Sequence, residues 1–200
     1  MSLDQFVSQQ RSAGQYDSSD VFTIDTLEMG RKMAAYQLPE RGLWVVKLIQ
    51  AAVGMEATQA RIRFGKRTVE VSFRTPTGGP DARAIFEALF KPRPNQSRPL
   101  THLSTGLRSC LGSSPQKLRI DVRGPEGGQW YQLNQQSTET GRSDATTDTF
   151  WEYRFELSRS VNRPPLKKAL RHRVVDLVRE VGEEYVTVVS RCWCAPLSLE

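Results

Sequence analysis

The amino-acid sequence predicts a two-layer α/β sandwich, a mixed and mostly antiparallel sheet with helices on one face. Three observations lead there. Several short runs alternate apolar and polar residues with the period of a strand, and the run from Arg41 to Met55 is apolar nearly all round, as a buried helix is. The order of elements, strand, helix, helix, hairpin, helix, helix, three strands, helix, collects the helices against one side of one sheet. Repeated βαβ units with a glycine-rich first turn, which a dinucleotide-binding plan needs, are absent.

Residues 1–20 are polar and aperiodic and read as a disordered arm. Val21 to Ile24 reads as a strand, and Asp25 with Glu28 three residues on opens a helix that Pro39 must end. The apolar run from Arg41 to Met55 is the central helix. Ala60, Ile62 and Phe64, then Val69, Val71 and Phe73, alternate with polar residues around Gly65-Lys66-Arg67 and make a β-hairpin. Thr75 to Pro80 is a loop, and Asp81 caps a helix carrying Ile85, Phe86, Leu89 and Phe90. Lys91 to Pro99 is proline-rich and irregular. Leu100 to Leu111 is a helix, with Gly112 placed for a left-handed cap. Leu118, Ile120 and Val122 form a strand that Gly124 to Gly128 turns into a second one at Trp130, Tyr131 and Leu133. Residues 135–148 read as a loose loop, and Phe150 to Leu157 as a third strand of the group. A basic amphipathic helix follows over Leu166 to Val181, and Tyr185 to Cys194 fits helix or strand equally.

The totals narrow the class. Two hundred residues suit one domain, read as residues 21–200. Hydrophobic content of 38% and mean hydropathy of −0.49 are those of a globular chain, and no run approaches the length of a membrane span. Three cysteines, Cys110, Cys192 and Cys194, read as structural thiols in a reducing compartment, the cytoplasm; with only His102 and His172 beside them, a zinc site is poorly supplied. A formal charge of +6 permits an anionic partner without naming one. The carboxylates Asp81, Glu87, Asp121 and Glu126 are scattered, and no pair for acid–base work emerges.

The segment Lys47 to Thr58, followed by the strand from Arg61 to Phe64, resembles the signature helix of the GHKL ATPases, the Bergerat-fold superfamily of heat-shock chaperones and histidine kinases. In that family the helix bears a glutamate that activates water, an asparagine four residues on that ligates magnesium, and often an acidic residue one turn later. These positions are Lys47, Ala51 and Gly54 here. Arg74-Thr75-Pro76-Thr77-Gly78-Gly79 is similar to the family's Asp-x-Gly-x-Gly turn, with Arg74 at or beside the aspartate that bonds adenine; a guanidinium only donates and cannot take that role. Leu103 to Cys110 resembles the segment in which a Gly-x-Gly opens a helix under the phosphates, with Gly106 remaining. The likeness spans Phe22 to Leu199 and implies that the domain is the front part of a longer protein.

The resemblance implies a degenerate ATP-binding domain that does not hydrolyse, a nucleotide-sensing or scaffolding module in contact with its own downstream domains or another protein. It implies no catalytic residue and no metal. Lys47, Gln50, Gly78, Gly79, Thr105 and Gly106 are the residues it offers to ATP or ADP without magnesium: Lys47 as a cation for phosphate, Thr105 and Gly106 as N–H donors at a helix start. Each has a plainer role too. Lys47 suits a snorkelling helix residue, Gln50 a bond to a neighbouring backbone group and Gly106 a helix contact. Two other classes compete. Basic faces at Arg61, Arg63, Lys66 and Arg67, and from Lys167 to Arg179, would suit nucleic acid, although no aromatic residues interleave with them. An active ATPase would require substitute catalytic groups. A membrane partner is not expected.

Overall fold

A computed structural model describes residues 42–91, 95–113, 115–135, 137–159, 182–192 and 194–200. The expected arm, the strand at Val21, the helix from Asp25 and the basic helix from Leu166 to Val181 lie outside these residues.

Helix α1 (Leu43–Gly54) is the central helix, with Val45, Leu48, Ala51 and Ala52 fully buried. Its end is built by the backbone. Ala57 N–H reaches Ala52 O at 3.0 Å, Glu56 N–H reaches Val53 O at 3.0 Å, and Glu56 takes the left-handed conformation, φ 60°, that this closure demands and that glycine usually fills. The hairpin follows as β1 (Gln59–Phe64) and β2 (Thr68–Thr75), in the register Ile62 opposite Val71. Asp81 caps α2 (Ala82–Phe90) through the Ala84 N–H at 2.6 Å.

Helix α3 (Arg98–Leu111) starts earlier than expected, because Ser97 caps it and Pro99 sits in its first turn, where a missing N–H costs nothing. Gly112 closes α3 in a right-handed conformation, φ −61°, rather than a left-handed one. Strands β3 (Lys117–Gly124) and β4 (Gly127–Asn134) form a hairpin in which Gly127, at φ 113°, occupies a position closed to other residues. The expected loop of residues 135–148 contains a further strand, β5 (Thr138–Ser143), paired with β4. Strand β6 (Trp151–Ser158) matches the expected third strand. Residues 182–192 are helical, α4, and β7 (Ser198–Leu199) runs parallel to β1.

The sheet order is β5-β4-β3-β6-β2-β1-β7, antiparallel except at β7. This is the two-layer sandwich expected from the element order. The helix side of the three central strands carries Val69, Val71 and Phe73, Leu118, Ile120 and Val122, and Tyr153, Phe155 and Leu157, all buried. Phe73 stacks on Tyr153 at 5.2 Å, and Phe86 of α2 stacks on Tyr131 of β4 at 4.9 Å. Arg108, buried in α3, donates from Nε and Nη2 to Leu89 O (2.8 Å) and Ala88 O (2.7 Å), closing the end of α2. Helix α4 is held by Glu184, whose Oε1 accepts from Trp44 Nε1 at 2.7 Å and pairs with Arg159.

Candidate functional site

The positions where the resemblance puts water activation and metal binding all fall on α1, at the spacing of one helical face. Lys47 is half-buried and its Nζ donates to Gln50 Oε1 at 3.0 Å, so these two residues serve each other. Ala51 is fully buried. Gly54 lies against Pro99 of α3, whose Cγ would stand 3.4 Å from an added Cβ. Thr105 and Gly106 sit in the middle of α3, two turns past its start, so their N–H groups belong to the helix ladder and face no anion. Gly106 is the contact between helices: an added Cβ would stand 2.9 Å from Lys47 Cβ and 2.9 Å from Trp44 O. Only glycine permits α1 and α3 to approach this closely.

His102 stands near Lys47 and Arg98, and burial, then those two cations, push its imidazole below the ordinary histidine range. Among the described residues no three His, Cys, Asp or Glu side chains converge as metal ligands. Magnesium takes oxygen ligands, and Lys47, Ala51 and Gly54 supply none. The residues present do not fit a magnesium nucleotide.

The glycine loop lies at the other end of α1, about 12 Å further along the axis from Lys47 at 1.5 Å per residue. Gly79 N–H donates to Tyr153 Oη at 2.8 Å, and an added Cβ there would meet Met55 Sδ at 2.8 Å. Gly78 lies against the Trp151 indole, 2.8 Å from an added Cβ. Burial raises the Tyr153 phenol despite the bond from Gly79, so Tyr153 stays protonated at neutral pH. Arg74 is turned to the open side of the sheet and pairs with Asp148 at 3.2 Å. The inward residue there is Thr75, fully buried, its hydroxyl donating to Thr77 O at 2.8 Å. Lys47 thus lies beside Gly106 and bonds Gln50, with Thr105 next to Gly106 in α3, while Gly78 and Gly79 are separate and closed over Tyr153 and Trp151. Strand alternation alone would have singled out Thr75, since it follows Val69, Val71 and Phe73 at period two.

The open side of the sheet is a lattice of charge. Arg61 pairs with Glu200, Arg63 and Arg154 with Glu70, and Lys117 with Glu156. Asp121, almost fully buried, receives Arg123 Nη2 at 2.9 Å and Ser143 Oγ at 2.7 Å, with Arg119 beside it. The Arg119 guanidinium lies 4.3 Å from the Trp130 ring centre, a cation–π contact. Burial would raise the Asp121 carboxyl, but the bonds from Arg123 and Ser143 outweigh it and hold it below its ordinary value. Arg61 and Arg63, the basic residues of the hairpin strand, are therefore matched by acids within the fold.

No protein-family model and no curated protein matches the chain. Among solved structures it is similar to the N-terminal domain of a DNA repair protein, with 13% identity and a TM-score of 0.46 over 84% of this chain and 49% of that one. It is also similar to the B-subunit of the DNA gyrase from Myxococcus xanthus, with 12% identity and a TM-score of 0.44 over 73% of this chain and 42% of that one. The chain spans less than half the length of either. No helix among the described residues is long and apolar enough to cross a membrane.

Proposed function

We propose that this chain is a degenerate GHKL-type domain that does not hydrolyse nucleotide and serves as a scaffold, making contacts with its own downstream domains or with another protein. The observation that carries the reading is the α1 surface, where Lys47 beside Gly106, a fully buried Ala51 and Gly54 beside Pro99 provide packing and one cation but no oxygen ligand. Closure of Gly79 on Tyr153 and of Gly78 on Trp151 supports it further. Free thiols at Cys110, Cys192 and Cys194 support the cytoplasm as its compartment.

Melting curves with ATP or ADP, each with and without magnesium, test this. A ligand of the native state at 100 times its Kd stabilises by about 2.7 kcal/mol, which raises the Tm of a domain this size by roughly 5–10 °C. The scaffold reading expects no such rise. A rise that needs no magnesium would convert the role to nucleotide sensing through Lys47, Arg98 and His102. Release of phosphate above background in a magnesium-dependent manner would sink the reading altogether.

A further inference from the structure

Strand β5 is the last strand on its side of the sheet, paired with β4 and, among the described residues, with nothing beyond. Every second residue of such an edge turns its N–H and C=O outward, a template for another strand. Beside this edge, on the helix side, is a cleft of about 370 Å³ between the start of α2 at Asp81, the β3–β4 turn, Trp151 and the neighbouring pair Gln129 and Arg142. Arg142 differs from every other Lys or Arg on a described strand: the others each pair with a carboxylate, several from the adjacent strand, and Arg142 pairs with none. Its inner neighbour is Gln129; its outer neighbour would be a strand that the edge lacks among the described residues.

We propose that the outer edge of β5 takes an extended acidic peptide of a partner protein as an eighth strand, with an Asp or Glu side chain opposite Arg142 and inside the cleft. This deepens the scaffold reading and rests on it for the partner's role. Backbone bonds along the edge supply affinity without regard to sequence, and the cleft selects the side chain. A second copy of the chain is a poor occupant. Residues directly opposite in antiparallel strands point to the same side, so Arg142 could face only Thr138, Thr140 or Arg142 of that copy. The acid of β5, Glu139, points the other way. Within the cleft the carboxylates of Asp81, which caps α2, and Glu126, exposed at the turn tip, are the groups that oppose an incoming acid.

The test is selection from a random peptide library of roughly strand length, run on the wild-type chain and on Arg142→Glu, followed by fluorescence anisotropy of the selected peptides. Arg142 is exposed, and unchanged melting curves will verify that the variant folds. Wild type is expected to enrich Asp or Glu at one position and to prefer the acidic peptide over its lysine counterpart by about tenfold, as opposed to like charges directly across a strand pair imply. Arg142→Glu is expected to reverse that order, Glu126→Gln to tighten the acidic peptide, and methylation of alternate peptide amides to abolish binding. No enrichment, or the same enrichment in both proteins, overturns the proposal. Nucleotide melting curves and phosphate release are unaffected by that outcome, so failure of the scaffold reading and failure of the added strand remain separable.

Discussion

The two sides of the sheet use the same strands in opposite ways. On the helix side Val71, Ile120 and Phe155 lie in one cross-strand row and are buried beneath α1, α2 and α3. On the open side Ser72, Arg154 and Asp121 lie in a row one residue away, and the groups around them are ordered by ion pairs. Burial is non-directional and large, whereas exposed charge pairs are directional and individually small. Stability thus resides on one side and polar matching on the other. A charge of +6 says little about binding by the open side, whose strand cations are already matched.

That contrast can be broken in order of size. Phe155→Ala removes a fully buried ring that Phe73 packs against at 6.0 Å and is expected to cost about 3–5 kcal/mol in urea denaturation. Gly106→Val drives a branched side chain into Trp44 O and Lys47 and is expected to cost about 1–3 kcal/mol by separating α1 from α3. Asp121→Asn, on the open side, deprives Arg123 and Ser143 of their acid and is expected to cost about 1–3 kcal/mol. Its effect carries a pH signature. A carboxyl held below its unfolded value contributes stability that is present above about pH 4 and lost as pH falls through the folded pKa. Wild type should show this loss on acidification, and the Asn variant a shallower one.

Two smaller changes sharpen the same comparison. Glu56→Gly relieves a left-handed residue at the end of α1 and is expected to raise stability by roughly 0.5–1 kcal/mol, visible as a higher Tm. Arg61→Ala removes an exposed pair with Glu200 and is expected to stay within about 0.5 kcal/mol of wild type. An Arg61→Ala loss comparable to that of Phe155→Ala would erase the distinction between the two sides.

The hairpin β1–β2 and the cap at Asp81 were legible because each depends on residues close in sequence. Strand β5 was not, since Thr138 to Ser143 holds no apolar residue. Its place comes from β4, with Trp130 lying over Gly141, 2.6 Å from an added Cβ. Helix α4 misleads periodicity in another way: Glu184 and Thr187 are buried while Tyr185, Val186 and Val189 are exposed, because Trp44 and Arg159 draw Glu184 inward. At the site, the Lys47, Ala51 and Gly54 face follows from helical spacing. The distance between that face and Gly78-Gly79, and the opening beside Arg142, depend on which strands become neighbours, which no local pattern encodes.

The buried guanidinium of Arg108 fastens the last turn of α2 to the last turn of α3. The peptide chain joining the two helices is thereby not the sole tie between the segments on either side of it, since β2 also pairs with β6. A protease nick between Lys91 and Ser97, or new chain ends engineered there, would leave two fragments that copurify, with the helices still docked and the sheet beneath them intact.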